Sequence, residues 1–132
     1  MMHECGLRVR TYECDAYGHV NNAVYLNYLE YARHEYLRAV GFDYLAVVDA
    51  GYGLYVARIE IDYKRPAFTD DALIIRTWPI KKGAVSGVMA QRIMRGEDLL
   101  AEAKVTWAFV DSKGAPTKIP PQWDLPGLKP GP

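Results

Sequence analysis

The strongest constraint on the fold of this chain is an uninterrupted stretch from Asn21 to Val40 that contains neither glycine nor proline. Asn21 or Asn22 can cap the start of a helix there, and Gly41 stands where a helix C-cap is expected. The apolar residues of this stretch exceed a single helical stripe, and they include Tyr25, Leu26, Tyr28, Leu29, Ala32, Tyr36, Leu37 and Val40. A helix that is apolar over most of its circumference is usually enclosed by other elements. The sequence therefore predicts one long central helix that the rest of the chain wraps.

Most of the remaining chain alternates between apolar and polar residues, which is typical of β-strands. One strand is predicted at 6–13, before the helix, and four strands follow a short second helix at 42–50. The alternation is clearest at 57–63 and 99–109, and one strand is expected to end near Pro79. Short connections predict that the last four strands form an antiparallel meander. The pattern favours an α+β fold with a five-stranded antiparallel sheet around one helix. Part of the sheet's edge would stay unpaired, which favours pairing with a second copy.

Length and charge place limits on the class of protein. At 132 residues and half hydrophobic, the chain predicts one domain, 1–132, whose core needs neither disulfides nor metal, with an extended proline-rich tail at 116–132. Sixteen Lys and Arg balance sixteen Asp and Glu, and because phosphate backbones require a basic excess, nucleic acid is not expected as a partner. No stretch is apolar enough to span a bilayer and no signal sequence is apparent, so we expect a cytoplasmic protein.

The polar loop before the helix carries the residues best suited to catalysis. Asp15 lies close to the predicted helix N-terminus, where free N–H groups and the helix dipole favour negative charge. A carboxylate there can attack a carbonyl or activate water, while the N–H groups stabilise an oxyanion. Gly18 lets the chain turn tightly and approach a ligand. The alternative interpretation is that Asp15 and Asn21 merely cap the helix.

The loop and the first turns of the helix also resemble a known family. The motif is Asp15-x-x-Gly18-His19-Val20-Asn21-Asn22-Ala23-x-Tyr25-Leu26, followed by Glu30-x-x-Arg33. It is similar to the signature of the 4-hydroxybenzoyl-CoA thioesterase family of hotdog-fold enzymes, in particular the acyl-CoA thioesterase branch with a His-Val-Asn-Asn stretch. The similarity continues through Tyr63-x-Arg65-Pro66 with Asp71 and through Val110-Asp111-x-x-Gly114 with Ile119-Pro120, so that it spans nearly the whole chain.

The resemblance implies a fold, a reaction and a set of site residues. The expected protein is a hotdog-fold acyl-CoA thioesterase that hydrolyses a fatty or aromatic acyl-CoA without metal or cofactor, as a homodimer or homotetramer. Asp15 matches the catalytic nucleophile or general base, and the backbone N–H of Asn22 matches the group that polarises the thioester carbonyl. His19 occupies a variable position, and we expect it to orient water or Asp15. The predicted substrate-binding residues are Gly18, Tyr25, Tyr63 and Arg65.

Two other functions fit parts of the sequence. A site this sparse suits thioester hydrolysis, because a thiol with a pKa of about 8.5 can leave as thiolate without a strong general acid. A non-catalytic acyl-CoA-binding module would use the same pocket, although a buried carboxylate such as Asp15 would then have little use. A hotdog dehydratase would pair a catalytic His with a Glu on the central helix, whereas Glu30 lies deep in that helix.

Other candidate residues have simpler structural interpretations. Cys14 is a possible nucleophile, but strand alternation should point it away from Asp15. Cys5 and Cys14 are expected to be free thiols, because the extended chain between them exceeds disulfide reach. The three histidines are too scattered for a metal site. Further expectations are an ion pair between Glu30 and Arg33, an inner sheet face with Tyr63, Trp107 and Phe109, and charges at Lys81, Lys82 and Arg92 that are solvated or meet coenzyme A phosphates.

Overall fold

One long helix packs against one five-stranded antiparallel sheet in the computed structural model, which describes residues 2–131. Met1 and Pro132, the outermost residues of the predicted domain and tail, lie outside the described residues. The elements are β1 (His3–Arg8), α1 (Asn22–Ala39), α2 (Tyr44–Asp49), β2 (Gly53–Tyr63), β3 (Ala72–Lys82), β4 (Ser86–Arg95) and β5 (Asp98–Val110), with 3-10 turns at Thr11–Glu13 and Pro126–Leu128. The predicted α+β fold is confirmed.

The order of the strands corrects the predicted meander. The sheet runs β1-β3-β4-β5-β2, so only β3, β4 and β5 are hairpin neighbours. After β2 the chain crosses the end of β5, where the N–H groups of Lys64 and Arg65 both donate to the carbonyl of Leu100. A short connection therefore does not place β3 beside β2. The crossing segment instead carries residues 64–71 to the helix N-terminus.

The bounds of β1 and β3 also differ from the prediction. β1 ends at Arg8, because the next residues form a 3-10 turn in which the Glu13 carboxylate accepts the Arg10 N–H at 2.8 Å. β3 continues past Pro79 to Lys82 with a register shift between Pro79 and Lys81. Such an irregularity accommodates a proline, which cannot donate a ladder hydrogen bond.

Helix α1 begins and ends as predicted. The Asn21 side chain accepts the Ala23 N–H at 2.9 Å, and Gly41 adopts a positive φ of 83° just beyond the helix. One side of the helix is buried against the sheet through Tyr25, Tyr28, Leu29, Ala32 and Tyr36. Leu26 and Tyr31 stay exposed. The single chain therefore covers one side of α1 and leaves apolar residues on another.

A buried glutamine ties the middle of α1 to the sheet. Gln91 on β4 donates to the Leu29 carbonyl and to the Thr77 hydroxyl, each at 3.0 Å. Its own carbonyl accepts Arg33 Nη1 at 3.1 Å, so the predicted ion pair between Arg33 and Glu30 is wrong. Burial lowers the pKa of Arg33, and the nearby Glu30 charge opposes that shift. The neutral amide supplies a partner without burying a second charge.

The tail closes the second half of the core. Ile119 and Leu128 are buried among Tyr36, Phe42 and Phe109, and the Tyr36 hydroxyl donates to the Gly127 carbonyl. Cys5 and Cys14 are both free thiols, as expected. Within the described residues, no helix is long and apolar enough to cross a membrane.

Candidate active site

An open cleft of about 330 Å³ lies at the N-terminus of α1, between the preceding loop and the end of β2. Six of the seven predicted site residues line it, namely Asp15, His19, Asn22, Tyr25, Tyr63 and Arg65. Gly18 does not line the cleft. The fold thus brings together residues that are up to fifty positions apart in the chain.

Asp15 is held by its own loop. Its Oδ1 accepts the N–H of Tyr17 at 2.9 Å and the N–H of His19 at 3.3 Å, and its backbone N–H donates to the His19 carbonyl at 2.7 Å. Gly18 closes this turn with a φ of 79°, which explains why it shapes the loop instead of contacting the cleft. Oδ2 accepts no hydrogen bond from residues 2–131. The Asp15 carboxylate is exposed in the single chain. The expectation that it is buried is therefore wrong for one chain taken alone.

The Asn22 backbone N–H is the second free group. The capping oxygen of Asn21 bonds the Ala23 N–H, and no acceptor within the described chain takes the N–H of Asn22. The Asn22 carbonyl accepts the Tyr63 hydroxyl at 2.9 Å. Asp15 makes no bond to α1, so Asn21 alone caps the helix with its side chain. An N–H group at a helix N-terminus lies at the positive end of the helix dipole, which favours negative charge beside it.

Two tyrosines form the floor and wall of the cleft. Tyr25 is buried, and its hydroxyl accepts the Ala67 N–H at 3.0 Å. Burial raises the pKa of Tyr25. Its ring meets that of Tyr63 edge to face at 5.2 Å. Tyr63 is 47% exposed, unlike Trp107 and Phe109, which are buried as predicted. Tyr25 therefore supports the site from below, and Tyr63 presents a face to solvent.

His19 packs against Phe68, a residue that the sequence did not point to as part of the site. Its ring contacts the edge of Phe68 with centroids 5.1 Å apart, and the two backbones form an isolated β-bridge. The neighbouring Val20 N–H donates to the Ala67 carbonyl at 2.9 Å. The signal that pointed to this segment was the Tyr63-x-Arg65-Pro66 motif with Asp71.

The other candidates stand apart from the cleft. Cys14 does not line it, and its sulfur lies 3.2 Å from the Thr69 hydroxyl. Lys82 is 9% exposed and pairs with Asp124 at 3.3 Å, while Arg92 lies over the Trp78 ring at 5.5 Å. The cations at the cleft are Lys64 and Arg65, and Arg65 pairs with Asp98 at 3.0 Å. No group of three His, Cys, Asp or Glu suited to a metal occurs within 2–131.

This fold and cleft define a class with known members. Residues 9–124 match the Thioesterase-like superfamily. The chain is 31% identical to a probable thioesterase from Bartonella henselae whose crystal structure superposes with a TM-score of 0.86, covering 91% of this chain and all of that one. The chain belongs to the Thioesterase-like superfamily, and its hotdog fold is confirmed.

Two relatives of this chain have names that state a thioesterase activity. The long-chain acyl-CoA thioesterase FadM of Escherichia coli is 34% identical over 110 residues, covering 81% of this chain and 82% of that protein. The chloroplastic acyl-acyl carrier protein thioesterase ATL3 of Arabidopsis thaliana is 32% identical over 126 residues, covering 89% of this chain. The chain spans 63% of the length of ATL3, less than two thirds.

Proposed function

We propose that this protein is an acyl-CoA thioesterase, and that it belongs to the branch of the 4-hydroxybenzoyl-CoA thioesterase family carrying a His-Val-Asn-Asn stretch. The observation that carries the proposal is the pair of free groups in one cleft, Asp15 Oδ2 and the Asn22 N–H. One is a base or nucleophile, and the other is a donor for a developing oxyanion. The names of the relatives support a thioester as the substrate.

The reaction needs few groups. In the general-base route, Asp15 accepts a proton from water as the water oxygen adds to the thioester carbon. The Asn22 N–H holds the oxyanion, and its collapse breaks the C–S bond and expels coenzyme A as thiolate. In the nucleophilic route, Asp15 Oδ2 adds to the thioester carbon, the oxyanion collapses with cleavage of the C–S bond and loss of coenzyme A as thiolate, and water then hydrolyses the resulting anhydride to free acid and the Asp15 carboxylate. Single-turnover hydrolysis in oxygen-labelled water separates the routes, because only the anhydride route can label Asp15.

The remaining predicted residues have supporting roles in this proposal. His19, held against Phe68, orients water or Asp15. Tyr63 and Arg65 line the cleft and are assigned to binding the coenzyme A portion of the substrate, for whose phosphates Arg65 would exchange its pairing with Asp98. Gly18 shapes the loop at 15–19, and Tyr25 forms the floor of the cleft. No metal or cofactor has a part in these steps.

A dehydratase is disfavoured by the position of Glu30. It follows Asn22 by eight residues, which corresponds to about 12 Å along a helix. It lines a separate apolar cavity with Arg33, Leu37 and Trp107. A His–Glu pair across the thioester is therefore not formed within the chain.

We further propose that a second copy completes the cleft. Among residues 2–131, β2 is the last strand of the sheet and pairs only with β5, so its outer edge is open there. Tyr55 and Val56 on this strand are exposed, as is Asp15 at the cleft. Edge strands of this kind favour pairing with another chain. Light scattering should give at least twice the 14.9 kDa of one chain, and a monomeric mass would contradict the proposal.

The test of the activity is thiol release from short, long and aromatic acyl-CoAs. Activity with one class of substrate would identify the acyl group. Tight binding of the same compounds without turnover would make the protein a binding module. Acyl-carrier-protein substrates in the same assay test the carrier, since ATL3 is named for that activity.

A further inference from the structure

Arg95 on β4 bridges the two ends of the segment that joins β2 to β3. Arg95 Nη1 donates to Asp71 Oδ2 at 2.8 Å and to the Pro66 carbonyl at 3.1 Å. The same Asp71 oxygen accepts the Phe68 N–H at 2.9 Å. Arg95 therefore holds both ends of segment 66–71, while Asp71 fixes its middle.

Segment 66–71 packs against loop 15–19, which carries Asp15, and against the neighbouring Val20. The Ala67 carbonyl accepts the Val20 N–H, and Phe68 pairs with His19 through both backbone and ring. The Arg95 guanidinium in turn lies 5.9 Å from the Phe68 ring centroid. A continuous path of contacts thus runs from Arg95 through Phe68 to His19, which donates its N–H to the Asp15 carboxylate.

The charges of the pair agree with this geometry. Partial burial raises the pKa of Asp71, but the Phe68 hydrogen bond and the hydrogen bond and charge of Arg95 together outweigh it, and the net pKa lies below its ordinary value of 3.8. Asp71 is thus ionised at neutral pH. Both side chains are less than one third exposed, so that solvent screens the pair only in part.

We propose that Arg95 and Asp71 are positioning residues for the hydrolysis, acting by holding Phe68 against His19 and so fixing the loop that carries Asp15. This inference rests on the proposed thioesterase function. Neither residue lines the cleft, so they affect the orientation of the catalytic groups and leave substrate affinity unchanged. A small misplacement of a reacting group can cost up to about 10²-fold in rate.

The first test is a split of kcat from KM in the intact protein. We expect Arg95→Gln and Asp71→Asn each to lower kcat about tenfold, with KM unchanged. The matched control is Arg76→Gln, which removes a pair of the same length, Arg76 Nε to Glu4 Oε2 at 2.8 Å, between β1 and β3. Arg95→Lys should recover part of the lost kcat, because it restores the charge without the fork. An equal loss of kcat in Arg76→Gln, or a change confined to KM, would overturn the inference.

The second test does not depend on activity. The chain has three histidines, so the ring signals can be assigned in NMR spectra by His3→Gln and His34→Gln substitutions. The His19 signal should shift or broaden in Arg95→Gln and in Phe68→Leu, and stay in place in Arg76→Gln. If the wild type hydrolyses no thioester but these shifts occur, the proposed function fails and the positioning contact stands. An unchanged His19 signal in Arg95→Gln would overturn the inference, and Asp71→Asn serves if Arg95→Gln does not fold.

Discussion

Two loops of this protein have the same local structure and different surroundings. Both follow the pattern Asp-x-x-Gly-x, at 15–19 and at 111–115. In each, Asp Oδ1 accepts the N–H groups two and four residues later, at 2.9 and 3.3 Å in the first loop and at 2.9 and 3.1 Å in the second. Gly18 and Gly114 adopt φ angles of 79° and 78°. The backbone of one loop is a close copy of the other.

What separates the loops is what lies next to them. Loop 15–19 precedes the N-terminus of α1 and packs against Phe68, so Asp15 shares a cleft with the free Asn22 N–H. Loop 111–115 leaves β5 and leads into the tail, where Val110 forms a bridge with Pro116. The same Asp-centred turn is therefore a chain reversal in one place and a candidate catalytic element in the other.

The largest expected effect comes from removing each carboxylate in turn. Asp15→Asn should lower kcat/KM for the best acyl-CoA by about 10³-fold, because it removes the base or nucleophile. Asp111→Asn should leave kcat/KM unchanged, since its turn faces no substrate. Thiol-release kinetics of the two variants measure this directly. Equal losses would mean that both aspartates act only on folding.

The next effect isolates the helix N-terminus. Asn22→Pro deletes the backbone N–H at the first helical position, where proline is well tolerated, and Asn21 already has the extended ψ of 136° that precedes proline. Loss of one oxyanion donor should lower kcat by about 10²-fold or more. Asn22→Ala keeps the N–H and is the control. Similar kcat values for the two variants would exclude this N–H from the reaction.

Alanine at each glycine sharpens the comparison of the loops. A Cβ at either Gly18 or Gly114 meets nothing within 4 Å, so Gly18→Ala and Gly114→Ala should both cost about 1 kcal/mol through backbone strain alone. Denaturant unfolding should therefore show equal destabilisation. Activity at saturating substrate should fall only in Gly18→Ala. Matching losses of activity would show that the surroundings of loop 15–19 have no special role.

The smallest effect concerns the ion pair between Asp71 and Arg95, which holds the Phe68 segment against loop 15–19 and has no counterpart in the comparison with loop 111–115. Because the pKa of Asp71 is depressed on folding, its ion pair stabilises the protein above pH 3.8, and this stabilisation is lost as the pH falls below that value. Asp71→Asn should lower the free energy of unfolding by about 1 kcal/mol at pH 7. The gap from wild type should narrow in urea titrations as the pH falls below 3.8, because the Asp71 carboxylate of the wild type then becomes protonated. A gap independent of pH would argue against the Asp71–Arg95 pair.

Local signals accounted for most of the elements. The glycine-free and proline-free stretch placed α1 correctly, because capping and helical periodicity act within a few residues. Alternation found the strands but misplaced β2, since strand order depends on pairing between residues far apart in sequence. Glu30 and Arg33 have ideal spacing for a helical ion pair, yet Gln91, 58 positions from Arg33, takes the guanidinium. Helical spacing could not predict that Gln91 competes with Glu30 for Arg33, because Gln91 lies on a different element.

The sequence by itself determined the two Asp-x-x-Gly turns and the Asn21 cap, because each uses hydrogen bonds between residues at most four positions apart. It also pointed to Asp15 and Asn22 through their resemblance to a family. Only the tertiary structure decided which turn faces a cleft, since that depends on the crossing of segment 64–71 from β2 to β3. Phe68, Asp71 and Arg95 reach the loop through contacts separated by tens of residues. A local sequence pattern does not encode such contacts, because their free energy is gained only when the sheet has formed against the helix.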